Sequence, residues 1–311
     1  MRMKFGIAAA ILASVIGIGS AIAQTKPIRV VHPPGADLWP YFVAKKEGFF
    51  EKRGLNVELT TMAVSSNVPA ALASGSADIG VLTVATLLPA IENGIDLVTI
   101  AGGTIANPQF PSSLMTKIDS PIKEPKDIEG RKVGIPGIGA FLQVMFNEWL
   151  ATKGIDPKKV VFVEVPFTQM QDVLQAGTVD AVIPIEPFIT RISTAKVGEI
   201  KFGYIKELTA NKTYRILVSS MTRDYANKNA ATIKSVREAL EEAVAFQAKN
   251  PDKSKEAVGE FLKMPPQALA AVKLPTSPVT VTDADIADWV TILVKQKVMS
   301  KPVDPAKFNI K

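Results

Sequence analysis

Residues 28–101 read IRVVHPPGADLWPYFVAKKEGFFEKRGLNVELTTMAVSSNVPAALASGSADIGVLTVATLLPAIENGIDLVTIA. Ile28 to His32 is a short apolar strand. Trp39 to Arg53 has helical spacing, with Phe42, Val43, Phe49 and Phe50 on one side and Gly54 as its stop. Val57 to Met62 is the next strand, and Val68 to Ser74 a helix closed by Gly75. Ala77 to Leu82 is a third strand, Leu87 to Glu92 a helix closed by Gly94, and Leu97 to Ala101 a fourth strand. This rhythm of strand, turn, helix and strand predicts a mostly parallel sheet covered by helices.

Beyond it the rhythm breaks at Asn107-Pro-Gln-Phe-Pro111. After a strand at Ser113 to Thr116, a second βα series begins. It runs through strand Lys132 to Ile135, helix Phe141 to Lys153, strand Val160 to Glu164, helix Thr168 to Ala176 and strand Ala181 to Ile185. Tyr214 to Ser220 is a further strand, followed by helices at Ala230 to Lys249, Lys253 to Met264 and Thr282 to Gln296. One α/β lobe interrupted by another requires two crossings, which we place at Asn107 to Met115 and Tyr214 to Ser220. The expected organisation is a discontinuous first lobe, residues 24–110 and 221–311, and a second lobe, residues 111–220. Two crossings make a hinge, and a ligand is expected in the cleft beyond the carboxyl ends of the strands.

The amino terminus, MRMKFGIAAAILASVIGIGSAIAQ, has Arg2 and Lys4 ahead of an uncharged apolar run and then Ala21-Ile-Ala23. This is the pattern of a secretory signal peptide, residues 1–23, cut before Gln24, and it predicts a periplasmic protein. With no Cys anywhere in the chain, lipid anchoring, disulfides, thiolate catalysis and Cys–metal ligation are excluded. A length of 311 residues exceeds the usual size of one core and favours two domains. Lys and Arg number 36 against 30 Asp and Glu, scattered without a long basic run, which argues against nucleic acid as a partner.

The candidate binding residues sit on the loops after the strands. After the first come Asp37, which can cap a helix, Leu38 and Trp39. After the second come Ser65, Ser66 and Asn67, and after the third Thr83 and Thr86. In the second lobe Gly137, Ile138, Gly139, Ala140 and Phe141 open a helix. Helix N-termini expose free N–H groups and suit anionic groups, although Ser, Thr and Asn there also serve as plain caps. Gly137-Ile-Gly139 lacks the third glycine of a dinucleotide fingerprint and no Gly-Lys-Ser/Thr follows, so it reads as a turn that lets backbone approach a ligand. Glu186, after Ala181 to Ile185, is placed to accept hydrogen bonds from an amine or amidine, or to cap a helix. Arg215 can pair with Glu186 or with a ligand anion, or lie on a solvated face. Trp39, Phe141 and Phe188 are candidates for sandwiching a flat ligand, with the core as the alternative.

A search for catalytic motifs finds no G-x-S-x-G, H-E-x-x-H or EF-hand loop, and His32 is the only His. Thr282 with Asp285 reads as a capping pair, not a metal site. No catalytic residue, metal or cofactor is expected.

Pro40-Tyr-Phe-Val-Ala-Lys-Lys-Glu-Gly-Phe-Phe-Glu-Lys-Arg-Gly-Leu-Asn-Val-Glu58 resembles a block of the nitrate/sulfonate/taurine and thiamine-pyrimidine group of ABC-importer solute-binding proteins, the SsuA/THI5-like or NMT1-like family. Ala70 to Gly80, Asp127 to Gly137, and Leu174 to Ala181 with Glu186-Pro-Phe188 resemble its further blocks, in order. The resemblance implies a two-lobed periplasmic-binding-protein fold of type II, with ligand closure between lobes joined by two hinge segments. It implies a non-catalytic receptor, monomeric, with a small-molecule ligand and a permease of the inner membrane as partners. Relatives place ligand contacts at the loop before the first helix, at Ser65 to Asn67, at Thr83 to Thr86 and at Gly137 to Phe141. Ala140 stands where sulfonate-binding relatives often carry Ser or Thr, which weakens the sulfonate and nitrate readings. An aminopyrimidine-like or other flat, partly cationic molecule, or an aromatic carboxylate, suits the residues as well or better. Pyrimidine-synthesising enzymes share the fold but need a reactive His and, typically, a Cys-rich motif. A sensor that reports a ligand to a membrane kinase would look the same in sequence.

Overall fold

Five apolar runs of the first and last thirds of the chain line up side by side. In the computed structural model, which describes residues 26–264, 269–270 and 272–310, they are β1 (Ile28–His32), β2 (Val57–Thr61), β3 (Ile79–Thr83), β4 (Leu97–Gly102) and β12 (Leu217–Thr222). The expected signal segment, residues 1–23, lies outside the described residues. The order across the sheet is β2-β1-β3-β12-β4. β1 pairs in parallel with β2 and β3, while β12 runs antiparallel between β3 and β4. β3 and β4 are buried along their whole length, as a sheet covered on both faces requires. Helices α1 (Trp39–Lys46), α2 (Val68–Ala73) and α3 (Val84–Glu92) follow the first three strands.

The second sheet has the order β10-β6-β9-β7-β8, from β6 (Leu114–Thr116), β7 (Lys132–Ile135), β8 (Val161–Glu164), β9 (Ala181–Val182) and β10 (Glu199–Phe202). Around it lie α4 (Phe141–Thr152), α5 (Met170–Ala176), α6 (Phe188–Thr194) and α7 (Tyr204–Leu208). Between the sheets stands a two-stranded antiparallel ribbon, β5 (Ile105–Ala106) with β11 (Tyr214–Arg215). The chain then returns through α8 (Arg223–Lys228), α9 (Ala230–Lys249), α10 (Pro251–Phe261) and α11 (Asp283–Lys295). The Thr282–Asp285 capping pair forms: Thr282 Oγ1 accepts from Asp285 N at 3.2 Å, and Asp285 Oδ2 accepts from Thr282 N at 2.8 Å. No helix among the described residues is long and apolar enough to cross a membrane.

Of the elements that differ from the expected ones, three have a clear local cause. The helix from Trp39 stops at Lys46, because Gly48 takes φ +72° and the chain turns before a short 3₁₀ segment at Glu51–Arg53. The strand expected over Tyr214 to Ser220 is divided. The N–H groups of both Ile216 and Leu217 turn to the carbonyl of Thr104, so Tyr214–Arg215 stays in the ribbon and Leu217 enters the first sheet, ahead of the boundary expected after Ser220. The ladder expected over Ala181 to Ile185 ends at Val182, two residues before Pro184, which has no N–H to donate.

Candidate functional site: a cavity between the two sheets

The loop after β1 meets the second lobe directly: Ala36 N donates to Glu186 O at 3.2 Å. Asp37 folds back over Gly35, where a Cβ would run into Asp37 Oδ1 and stand 2.6 Å from Ile185 Cδ1. The backbone at Gly35 is extended, so it is this close approach, not conformation, that requires glycine. From the other side the glycine turn ahead of α4 approaches Ser65, so that a Cβ on Gly137 would lie 2.9 Å from Ser65 Oγ. Beside these contacts lies a partly open cavity of about 30 Å³. That is room for about one water molecule, well below the roughly 300 Å³ at which organic-ligand pockets begin, so a solute has to part these walls to enter.

Of the residues singled out in the sequence, Asp37, Ser65, Thr83, Ala140 and Phe141 line the cavity. Thr83 Oγ1 also caps α3, accepting from Thr86 N at 3.1 Å and sharing a hydrogen with Thr86 Oγ1 at 2.8 Å. Phe141 is held edge-on between Phe110 and Trp289, with centroids 5.7 and 5.8 Å away. Asp37 is the one ionisable side chain in the lining. Its side chain is half-buried, its Oδ1 lies out of solvent with no hydrogen-bond partner, and burial pushes its carboxyl up to about 7.

The remaining candidates take other positions. Leu38 and Trp39 are buried in the core, the indole N–H of Trp39 donating to Pro275 O at 2.8 Å, and neither lines the cavity. Ser66 is half-buried and Asn67 exposed, beside the cavity and not in its lining, and Thr86 is engaged with Thr83. The amides of Ile138 and Gly139 donate to Glu164 Oε2 at 3.0 Å and Gln143 Oε1 at 2.6 Å, and neither residue lines the cavity.

Glu186 proves to be a cap. Its Oε2 accepts from Thr190 N at 3.1 Å and its Oε1 from Thr190 Oγ1 at 3.0 Å. Burial raises its pKa, and both Thr190 donors oppose that rise. Arg215 pairs neither with Glu186 nor with the cavity. Its buried guanidinium donates to Gly103 O at 2.6 Å, Pro278 O at 2.8 Å and Thr280 O at 2.8 Å, with Asp285 Oδ2 at 3.4 Å. It fastens the ribbon to the segment ahead of α11. Phe188 stacks on Phe167, centroids 5.5 Å apart, and faces a wider groove with Pro34, Arg191 and Phe261, outside the cavity.

The sequence reading missed Pro33, Phe110, Pro136, Leu142, Phe167, Ile185, Ile216 and Leu217, which complete the apolar lining. Four of them adjoin residues already chosen: Pro136 precedes Gly137, Leu142 follows Phe141, Ile185 precedes Glu186, and Ile216 follows Arg215. In the last two pairs polar residue type drew attention to the wrong neighbour.

The profile of the NMT1/THI5-like family matches residues 36–254, from the loop carrying Asp37 into α10. The chain belongs to the NMT1/THI5-like family. Its similarity to individual members is modest. A Haemophilus influenzae protein named for thiamine biosynthesis is 28% identical over 215 residues, 68% of this chain and 65% of that protein. A Brucella abortus protein named as a binding protein is 24% identical over 252 residues, 78% of this chain and 74% of the other. The 4-amino-5-hydroxymethyl-2-methylpyrimidine phosphate synthase of Schizosaccharomyces pombe is 27% identical over 118 residues, 38% of this chain and only 33% of the synthase. The match therefore spans about a third of the yeast enzyme and just under two thirds of the Haemophilus protein.

Among solved structures, the alkanesulfonate-binding protein SsuA of Xanthomonas axonopodis superposes with a TM-score of 0.78 at 16% identity, covering 92% of this chain and 99% of SsuA. The nitrate-binding protein NrtA of Synechocystis gives 0.76 at 17% identity, covering 92% and 86%. At such identities the likeness carries the fold. This NMT1/THI5-like chain has the α/β periplasmic-binding-protein fold expected from its sequence, with mixed sheets flanked by helices.

Proposed function

We propose that this NMT1/THI5-like protein is the solute-binding receptor of an ABC importer, exported to the periplasm by cleavage of residues 1–23, where it acts as a monomer that docks on an inner-membrane permease. The observation that carries the reading is the cavity lined from both sheets, with Asp37, Ser65 and Thr83 on one side and Ala140, Phe141 and Phe167 on the other. A site divided in this way favours the closed form only when a solute contacts both walls, which couples binding to a shape that a permease can read. The lobes of the proposal are residues 24–110 and 221–311 against 111–220, with β12 reassigned to the first.

A thermal-shift screen of the mature protein against alkanesulfonates, nitrate, aminopyrimidines, flat organic cations and aromatic carboxylates tests it. A solute at about a hundred times its dissociation constant adds roughly 2.7 kcal/mol and raises the melting temperature by several degrees. A solute that is recovered chemically altered would replace the receptor with an enzyme. That second reading is favoured by the name of the yeast relative. Against it, His32 lies outside the cavity lining, with Nδ1 2.8 Å from Pro33 O and its ring edge-on to Phe42.

A further inference from the structure

We infer that Asp37 selects the solute, and that the solute is a compact organic cation bearing N–H groups (an amine, an amidinium or a protonated nitrogen heterocycle) held by the Asp37 carboxylate. The inference rests on the receptor reading above and names its substrate class. A buried carboxyl oxygen with no partner is a costly feature that a ligand donor would relieve. The fold makes space for it: Gly35 cedes the volume of a side chain so that Asp37 Oδ1 can stand over its Cα.

The rest of the lining contains no Lys, Arg or His. An anion entering here would meet an acid and no countercharge, whereas a cation meets its countercharge. The charged groups on the neighbouring elements are already occupied. His32, whose pKa burial lowers, turns Nδ1 to Pro33 O; Glu186 accepts from Thr190; Arg215 donates to three carbonyls and Asp285. Phe110, Phe141 and Phe167 supply the flat apolar walls that suit an aromatic or heterocyclic body.

The test uses the mature protein, wild type and Asp37→Asn, with benzamidine and 4-aminopyridine as N–H cations, choline as a cation without N–H, and benzoate, benzenesulfonate and nitrate as anions. Melting temperature and calorimetric affinity are read at pH 8 and pH 5.5. The expected result is stabilisation by an N–H cation at pH 8, weakened at least about tenfold in Asp37→Asn and again at pH 5.5, where the carboxyl takes up its proton. Choline and the anions leave the melting temperature unchanged. The unliganded variant melts at or above the wild type, because it loses a buried charge and no internal bond of Oδ1.

Stabilisation by an anion, or by a cation that binds Asp37→Asn equally well, overturns the role of Asp37 while leaving the receptor reading intact. A lower unliganded melting temperature in the variant assigns Asp37 to the fold and overturns its selecting role. A wild-type protein that answers to no probe overturns both readings for these solute classes.

Discussion

A carboxyl held near 7 by burial makes folding depend on pH in a direction opposite to the usual acidic residue. Native Asp37 keeps its proton up to about 7, whereas the unfolded chain releases it near 3.8. The native state therefore binds more protons between those values, and its stability falls as pH rises through the window. The full cost, on the order of 4 kcal/mol, is reached above the native value. Asp37→Asn removes this slope. Its melting temperature relative to wild type should rise steadily from pH 5 to pH 8, and parallel curves would show that Asp37 ionises as freely in the folded protein as in the unfolded one. Arg215 works in the other direction. Truncation to Ala strips donors from three carbonyls and leaves Asp285 without its buried partner, so urea unfolding should lose about 3–5 kcal/mol. Glu186→Gln should leave solute affinity unchanged, measured by calorimetry, because both carboxylate oxygens already face Thr190.

Residue type alone carried Asp37, Ser65 and Thr83 into the site but did not separate Glu186 from Asp37. Both are acids on loops after strands. What distinguishes them is how far local donors satisfy the carboxylate: Thr190 serves both oxygens of Glu186, whereas Oδ1 of Asp37 has no partner. That is a property of side-chain geometry four residues along a helix in one case and of a glycine two residues back in the other.

At the scale of the element, the turn ahead of α4 separates two reasons for glycine. Gly139 has φ +74° and an open surrounding, its nearest would-be contact being Val298 Cγ1 at 3.9 Å. Substitution there by Ala strains the backbone by roughly 1–2 kcal/mol without entering the cavity. Gly137 has ordinary backbone but faces Ser65 Oγ at 2.9 Å from a would-be Cβ. Gly137→Val should therefore wedge the turn away from the first lobe and weaken solute binding by at least about tenfold, with little change in unliganded melting temperature. Equal affinities for Gly137→Val and wild type would show that the turn does not close on Ser65 when solute binds. The sequence marks both glycines as a turn; which one is crowded depends on a residue more than seventy positions earlier in the chain, Ser65. The same limit explains β11 and β12: an apolar run at Tyr214 to Ser220 is legible, but its break at Ile216 arises from the carbonyl of Thr104, a partner that no local pattern announces.

At the scale of the whole molecule, the βα rhythm and the breaker at Asn107 to Pro111 were enough to expect two sheets and a crossing between them, because periodicity is a local record of burial. Polar contacts also join helices that are distant in the chain. α11 packs beside the ribbon, where the indole of Trp289 donates to Arg215 O at 2.6 Å. Gln296, just past its end, reaches α4: Nε2 donates to Val144 O at 2.9 Å and Glu148 Oε1 at 2.8 Å, and Oε1 accepts from Asn147 Nδ2 at 3.2 Å. Lys295 adds an exposed ion pair to Glu148 at 2.7 Å, which contributes little by comparison. This contact flanks the ribbon and bears on how far the sheets can part. Gln296→Ala removes three hydrogen bonds from it and should enlarge the radius of gyration of the unliganded protein in small-angle scattering. Solute should then dissociate several-fold faster at an unchanged association rate, since the cavity wall itself is untouched. An unaltered scattering profile and dissociation rate would mean that α4 and α11 move as one body. The sheets would then part about a line inside the second lobe, and the ribbon would not be the pivot.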